Sequence, residues 1–160
     1  MKKFGSLLGF IAIAQVIGGS SGIVTAKSIR DGWYDGLDKP KWTPPNAVFG
    51  PVWTILFAFM GIAAWRVWRR REQNPEETKT ALTWWSVQLL LNAAWSILFF
   101  GFRKPKWAWL EIFALWGSIV FTMRSLWKRD QVAGTLFLPY LAWTSFAAAL
   151  TTSIAWRNDD

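Results

Sequence analysis

Thr80-Ala81-Leu82-Thr83-Trp84-Trp85-Ser86-Val87-Gln88-Leu89-Leu90-Leu91-Asn92-Ala93-Ala94-Trp95-Ser96-Ile97-Leu98-Phe99-Phe100-Gly101-Phe102 runs for 23 residues without a charged side chain. A helix needs about 20 mostly apolar residues, at ~1.5 Å of rise each, to cross a ~30 Å hydrocarbon core. This stretch meets that length. Residues 4–26, 42–65 and 131–156 are uncharged too, and 107–123 carries only Glu111. That fourth run is the shortest, and reaches Trp127 when Arg124 snorkels to the interface. The reading is all-α: an integral membrane bundle of five transmembrane helices, a single domain over 1–160. The spans fall at about 4–26, 44–68, 80–102, 107–127 and 132–156, with the first loop, 27–43, as a lid over the bundle mouth.

Composition agrees. Of 160 residues, 52% are hydrophobic and only 18% are charged, low for a soluble domain. The mean hydropathy of +0.19 understates the apolarity, because 14 residues are Trp, which common scales score as mildly polar. The net charge of +8 would point a soluble chain toward nucleic acid. Here the charges are confined to short connections, so the expected partner is a lipid bilayer and not nucleic acid. Lys and Arg number 10 on the side of the N-terminus and 8 on the other, which barely favours the N-terminus inside. The first run could be a cleaved signal peptide. Its length and its Gly18, Gly19, Ser20, Ser21, Gly22 cluster, suited to close helix packing, favour a retained helix.

The chain has no His and no Cys. That excludes disulfides, His or Cys metal sites, thiol nucleophiles and a Ser-His-Asp triad. Only Met1, Met60, Met123, Tyr34 and Tyr140 could ligate a haem iron. No metal site is expected.

The first loop mixes turn formers, Asp31-Gly32 and Asp35-Gly36, with Trp33, Tyr34, Leu37 and Trp42. Those large side chains should fold back on the bundle. Thr43 is the expected N-cap of the second helix, with Pro44 at its first position. Pro51 and Pro139 should kink the second and fifth helices. Gln88, Asn92 and Trp95 share one face of the third span, at i, i+4 and i+7. They serve either as interhelical glue or as the polar floor of a pocket. Trp143, Ala147 and Leu150 repeat that spacing on the fifth span, where ring above small residue leaves room for a planar guest or simply packs. Glu111 is the one acid within a span, a functional candidate or a carboxylate at a helix start. Trp33 is in the loop, and Trp53, Trp95, Trp116 and Trp143 lie too deep for an interfacial belt; such indoles suit a flat apolar ligand.

Trp33-Tyr34-Asp35, Leu37, Lys39-Pro40, Trp42 and Pro44-Pro45 resemble the first-loop signature of the TspO/MBR family, the tryptophan-rich sensory proteins and the mitochondrial translocator protein (peripheral-type benzodiazepine receptor). Further blocks agree in order: Gly50-Pro51-Val52-Trp53, Gln88-Leu89 with Asn92 and Trp95, Phe99-Phe100-Gly101, and Pro139-Tyr140-Leu141-Ala142-Trp143 with Phe146 and Leu150. The resemblance covers essentially the whole chain. It implies a five-helix bundle that binds tetrapyrroles such as protoporphyrin IX and haem under the first loop, as ligands and with no cofactor required. It also implies a homodimer, in this case in a bacterial cell membrane. Mapped residue by residue, the ligand positions are Gly22, Ala26, Trp33, Tyr34, Trp53, Asn92, Trp95, Trp107, Tyr140, Trp143, Ala147 and Leu150. Some bacterial members degrade protoporphyrin IX in light and oxygen, which would make Trp33 and Trp143 the catalytic pair. Transport of porphyrins or other planar amphiphiles is the third reading. Arg30, Lys39 or Lys41 could meet porphyrin propionates. The sterol-recognition pattern lacks its Tyr after Leu150, so no sterol binding is expected from it.

Overall fold

The computed structural model describes residues 2–158, with side chains from Phe4 onward. Met1, one of the conceivable iron ligands, and the side chains of Lys2 and Lys3 lie outside the described residues. The described residues hold helices and no strand: α1 (Lys2–Arg30), a 3-10 turn (Asn46–Val48), α2 (Phe49–Trp68), α3 (Pro75–Ser96) continuing into a π turn (Ile97–Gly101), α4 (Pro105–Arg129), a short α5 (Gln131–Thr135) and α6 (Leu138–Arg157).

Four segments are long and apolar enough to cross a membrane: Phe4–Arg30, Asn46–Trp68, Pro75–Gly101 and Gln131–Arg157. The expected fifth, α4, has the length at 25 residues but falls short in apolarity. Its stripe of Ala108, Ile112, Leu115, Ser118, Ile119, Thr122 and Leu126 is buried in the bundle. Packing runs around a ring: α2 against α1, α1 against α3, α3 against α4, α4 against α5 and α6, and α5 back against α2.

Several boundaries differ from expectation. Thr43 does not cap the second helix; its hydroxyl donates to the Pro40 carbonyl at 2.7 Å, closing a turn instead. The chain then makes the 3-10 turn and enters α2 at Phe49. Pro51 therefore falls in the first turn of α2, where a missing N–H removes no interior helical bond. The charged segment before the third span is shorter than expected, because Asn74 caps α3 by accepting from the Glu77 N–H at 3.3 Å. The fifth span is two helices. Asp130 caps α5, accepting from the Ala133 N–H at 3.0 Å, and the chain breaks at Leu136–Phe137 before α6 starts at Leu138, with Pro139 in its first turn.

Polar contacts fix the end of the bundle remote from the first loop. Arg66 and Arg70 of α2 reach Asp130 at 3.0 and 3.4 Å, and Arg129 reaches Glu77 at 3.3 Å. The Asp130 side chain is 3% exposed. Burial alone would raise its pKa; the Arg66 hydrogen bond, the Ala133 N–H and the charges of Arg66 and Arg70 outweigh that and hold the carboxyl below its ordinary range.

α1 and α2 meet through glycine. A Cβ on Gly61 would lie 2.6 Å from the Cα of Ile11, and one on Gly18 would run into the Phe57 ring. Lipid tails are as apolar as side chains, so helices in a membrane associate through close packing of this kind.

Candidate functional site

At the first-loop end the helices part around a cavity of about 350 Å³. α1 contributes small residues, among them Gly22 and Ala26. α2 contributes Phe49, Trp53 and Phe57. α3 contributes Asn92 and Trp95, the π turn contributes Phe99, and α6 contributes Trp143, Phe146, Ala147 and Leu150. The aromatic wall is continuous. Trp53 stacks on Phe57 at 5.4 Å and meets Trp143 edge-on at 6.5 Å. Trp95 stacks on Phe99 at 5.2 Å. Such a wall offers flat π faces at several angles.

The first loop closes the end. Tyr34 is 2% exposed and lines the cavity from above. Its ring contacts Phe49, Phe99 and Phe100. Lys39 stands 4.7 Å over that ring and donates to the Tyr34 carbonyl, with a second bond to the Asp35 carbonyl at 3.1 Å. Burial, with a smaller contribution from the Asp35 charge, pushes the Tyr34 hydroxyl up to about 12, so it stays protonated at physiological pH. The loop is strapped to the end of α6. The Asp38 N–H donates to Asn158 Oδ1 at 3.0 Å, Asn158 Nδ2 donates back to the Asp38 carbonyl at 3.0 Å, and Arg157 pairs with the Asp38 carboxylate at 3.6 Å. Asn46 donates to Asp35 at 2.9 Å and Arg103 pairs with Asp31 at 3.6 Å. Gly32, at φ 76°, supplies the left-handed turn this path needs.

Nine of the residues singled out in the sequence lie on the wall: Gly22, Ala26, Tyr34, Trp53, Asn92, Trp95, Trp143, Ala147 and Leu150. Three do not. Trp33 packs behind it, edge-on to Phe99 at 5.9 Å and under the Arg103 guanidinium at 5.8 Å. Tyr140 is a buried strut whose hydroxyl accepts from Asn92 Nδ2 at 3.1 Å. Trp107 is 61% exposed, away from the cavity. Trp116 is exposed and off the cavity wall, donating to Ser145 at 2.9 Å. Trp42 does fold back, meeting Phe146 at 5.6 Å. Of the cations considered for an anionic ligand edge, Lys39 is engaged within the loop. Wall residues the sequence reading passed over include Gln15, Gly18, Ser21, Thr25, Phe49 and Phe57. A helical-wheel count on α1 would have found its four, all on the small-residue face.

Glu111 does not behave as a carboxylate in headgroup water. It lies on the buried stripe of α4 at the i+3 position from Ala108 and i−4 from Leu115. Both its carboxyl oxygens are buried without a hydrogen-bond partner, as are Trp95 Nε1, Gln88 Oε1 and Thr144 Oγ1. The polar face of α3 is thus divided: Asn92 is both glue and cavity wall, while Gln88 turns back on the Trp85 carbonyl at 2.9 Å. Among the described residues no group of His, Cys, Asp and Glu could hold a metal ion.

Four apolar helices of membrane length, gathered around an aromatic cavity under a strapped loop, define a polytopic membrane protein with an internal chamber. The chain belongs to the TspO/MBR family, whose model matches residues 10–157. It is 37% identical to the tryptophan-rich protein TspO of Archaeoglobus fulgidus over 99% of this chain and 97% of that one. It is 34% identical to the translocator protein of Sus scrofa, over 96% of this chain and 85% of the relative. Protein CrtK of Rhodobacter capsulatus is 38% identical over 78% and 77% of the two chains.

Proposed function

We propose that this membrane protein binds tetrapyrroles, protoporphyrin IX or haem, in the cavity under the first loop, with α4 as a fifth crossing helix. The observation that carries the reading is the wall itself: Trp53, Trp95, Trp143, Phe49, Phe99 and Phe146 around one space of about 350 Å³. That volume is within the ~300–1,000 Å³ usual for small-molecule sites. Flat rings at several angles favour a planar conjugated guest held by stacking and shape. With no His or Cys in the chain, a haem iron finds no imidazole or thiolate ligand here. The family resemblance supplies the ligand class, and the cavity chemistry is compatible with it.

The test is a dark titration of the purified protein in lipid nanodiscs with protoporphyrin IX, read by Trp fluorescence. Saturable quenching that weakens in Trp53→Ala and Trp95→Ala supports the proposal. Quenching that never saturates, or that ignores both substitutions, overturns it.

A second reading, light- and oxygen-dependent degradation of the bound porphyrin, is favoured by one observation. Trp143 is on the wall, where an indole could give an electron to a photoexcited ring. Loss of the porphyrin band under light in air, abolished in Trp143→Phe with binding kept, supports this reading. Equal loss in the variant sinks it.

A further inference from the structure

The cavity is not equally enclosed on all sides. Its residues on α3 and α6 are buried or half-buried. The exposed ones all lie on α1 and α2: Gly19, Gly22, Ala26, Gly50 and Thr54. The two helices are in tight contact over their other half. There Gly61 meets the Ile11 backbone, Gly18 meets Phe57, and Trp65 Nε1 donates to Ser6 at 3.1 Å. Gln15 Nε2 bridges to the Thr54 carbonyl at 2.9 Å, and both residues line the cavity. A Cβ at Gly19, Gly22 or Gly50 would have nothing within 4 Å. Gly5 and Gly9 are equally open on the exposed face of α1, but Gly19, Gly22 and Gly50 are both open and part of the cavity lining, and that combination marks a gap.

The gap lies at hydrocarbon depth. Gly22 precedes Arg30 by eight residues, or ~12 Å of helix. Val16, Ile23 and Ile55 around it are exposed, as lipid-facing side chains are. The aqueous end is covered by the first loop and its straps at Asp38–Asn158, Asp38–Arg157 and Asp31–Arg103.

We propose that the cavity is loaded sideways from the bilayer, through the gap between α1 and α2 at Gly22 and Gly50, by flat amphiphiles dissolved in the hydrocarbon. The inference rests on the cavity being a ligand site. Gln15 Nε2 donates to the Thr54 carbonyl and the Thr54 hydroxyl donates to the Gly50 carbonyl, so the lower edge offers a guest's polar edge the Gln15 and Thr54 side-chain oxygens as acceptors. The first loop then acts as a fixed cap and not as the door.

The experiment compares wild-type, Gly22→Leu and Gly50→Leu proteins in nanodiscs, by stopped-flow quenching with protoporphyrin IX. A Cβ at either position meets nothing within 4 Å, so the added side chain starts into the gap without a clash. A blocked port slows association and dissociation both, each by about tenfold or more, whereas a wall that is merely damaged speeds dissociation. A crosslinked Asp38→Cys/Asn158→Cys protein, whose two thiols are the only ones in the chain, should keep wild-type rates. Unchanged rates in both Leu variants, or slow rates in the crosslinked protein, overturn the proposal.

If wild-type protein does not bind the porphyrin, the proposed function fails, and a second arm judges the port alone. Ala147→Cys places a single thiol on the cavity wall. A lipid-dissolved pyrene maleimide should label it faster than a membrane-impermeant sulfonated maleimide, and Gly22→Leu should remove that advantage. Faster labelling from water, or no effect of Gly22→Leu, overturns the port.

Discussion

Asn92 Nδ2 donates to the Tyr140 hydroxyl at 3.1 Å, and this buried bond joins α3 to α6 directly behind the cavity. Tyr140→Phe keeps the ring contacts to Trp53 and Phe137 but strands the amide. An unsatisfied buried donor costs about 1–3 kcal/mol. The expected result is a lower thermal midpoint in detergent, with porphyrin affinity weakened as well, because Asn92 is part of the wall. Unchanged midpoint and affinity would show that the amide finds another partner.

Asp130 separates charge from capping. Asp130→Asn keeps an oxygen for the Ala133 N–H but loses the charge faced by Arg66 and Arg70. Breaking a buried pair costs about 3–5 kcal/mol. The two guanidinium groups are 26% and 40% exposed, which discounts the loss to about 1–3 kcal/mol. Asp130→Ala should cost about 1 kcal/mol more, for the lost cap. The folded carboxyl has a lowered pKa, so its contribution is complete above the ordinary range near ~4 and disappears as pH falls through the lower folded value. The midpoint difference between wild type and Asp130→Asn should be flat from neutral pH downward and shrink only below about pH 4. A difference that grows on acidification would contradict the assignment.

Gly61→Ala and Gly22→Ala should behave oppositely. The first drives a methyl against the backbone of Ile11, and overpacking costs about 1–3 kcal/mol. The second enters open space and gains helix propensity, so its midpoint should be unchanged or slightly higher. Melting of the two purified variants decides it.

Trp143 and Trp33 should part company in light. Trp143 lines the cavity, whereas Trp33 packs behind Phe99. If bound porphyrin is degraded, Trp143→Phe should slow the loss of its absorption band at least about tenfold, or ~1.4 kcal/mol of barrier. Trp33→Phe should slow it less. The reverse order would place the reacting indole in the loop. Trp107→Ala, far from the cavity, should leave protoporphyrin IX affinity unchanged.

Much of this architecture was legible from charge placement. Uncharged runs located the helices because a charged side chain has no cheap place in hydrocarbon. What they could not fix were the ends. Thr43 and Pro44 carry the local chemistry of a helix start, yet the turn closed on the Pro40 carbonyl captured Thr43 first. α4 shows the converse: its stripe is buried by neighbouring helices, so its composition tolerates Glu111 and understates its place in the bundle. Of the site, the deep indoles Trp53, Trp95 and Trp143 were readable from depth and spacing. Trp107 was not separable from them by resemblance alone, since which way a ring faces depends on the rotation of α4. On α1, Gly22 and Ala26 were named but Gly18 and Ser21 were missed as wall, because glycine and serine are legible as packing residues and say nothing by themselves about whether a neighbour arrives.

The strap between Asp38 and Asn158 joins positions 120 residues apart. During synthesis the first loop is made early, but its anchor is among the final residues of the last helix. Until those residues have emerged, the cover is held only by the Asn46–Asp35 and Arg103–Asp31 contacts. Full closure of the chamber is therefore acquired late, and a nascent chain halted before residue 157 would present an aromatic cleft whose cover is tied on one side only.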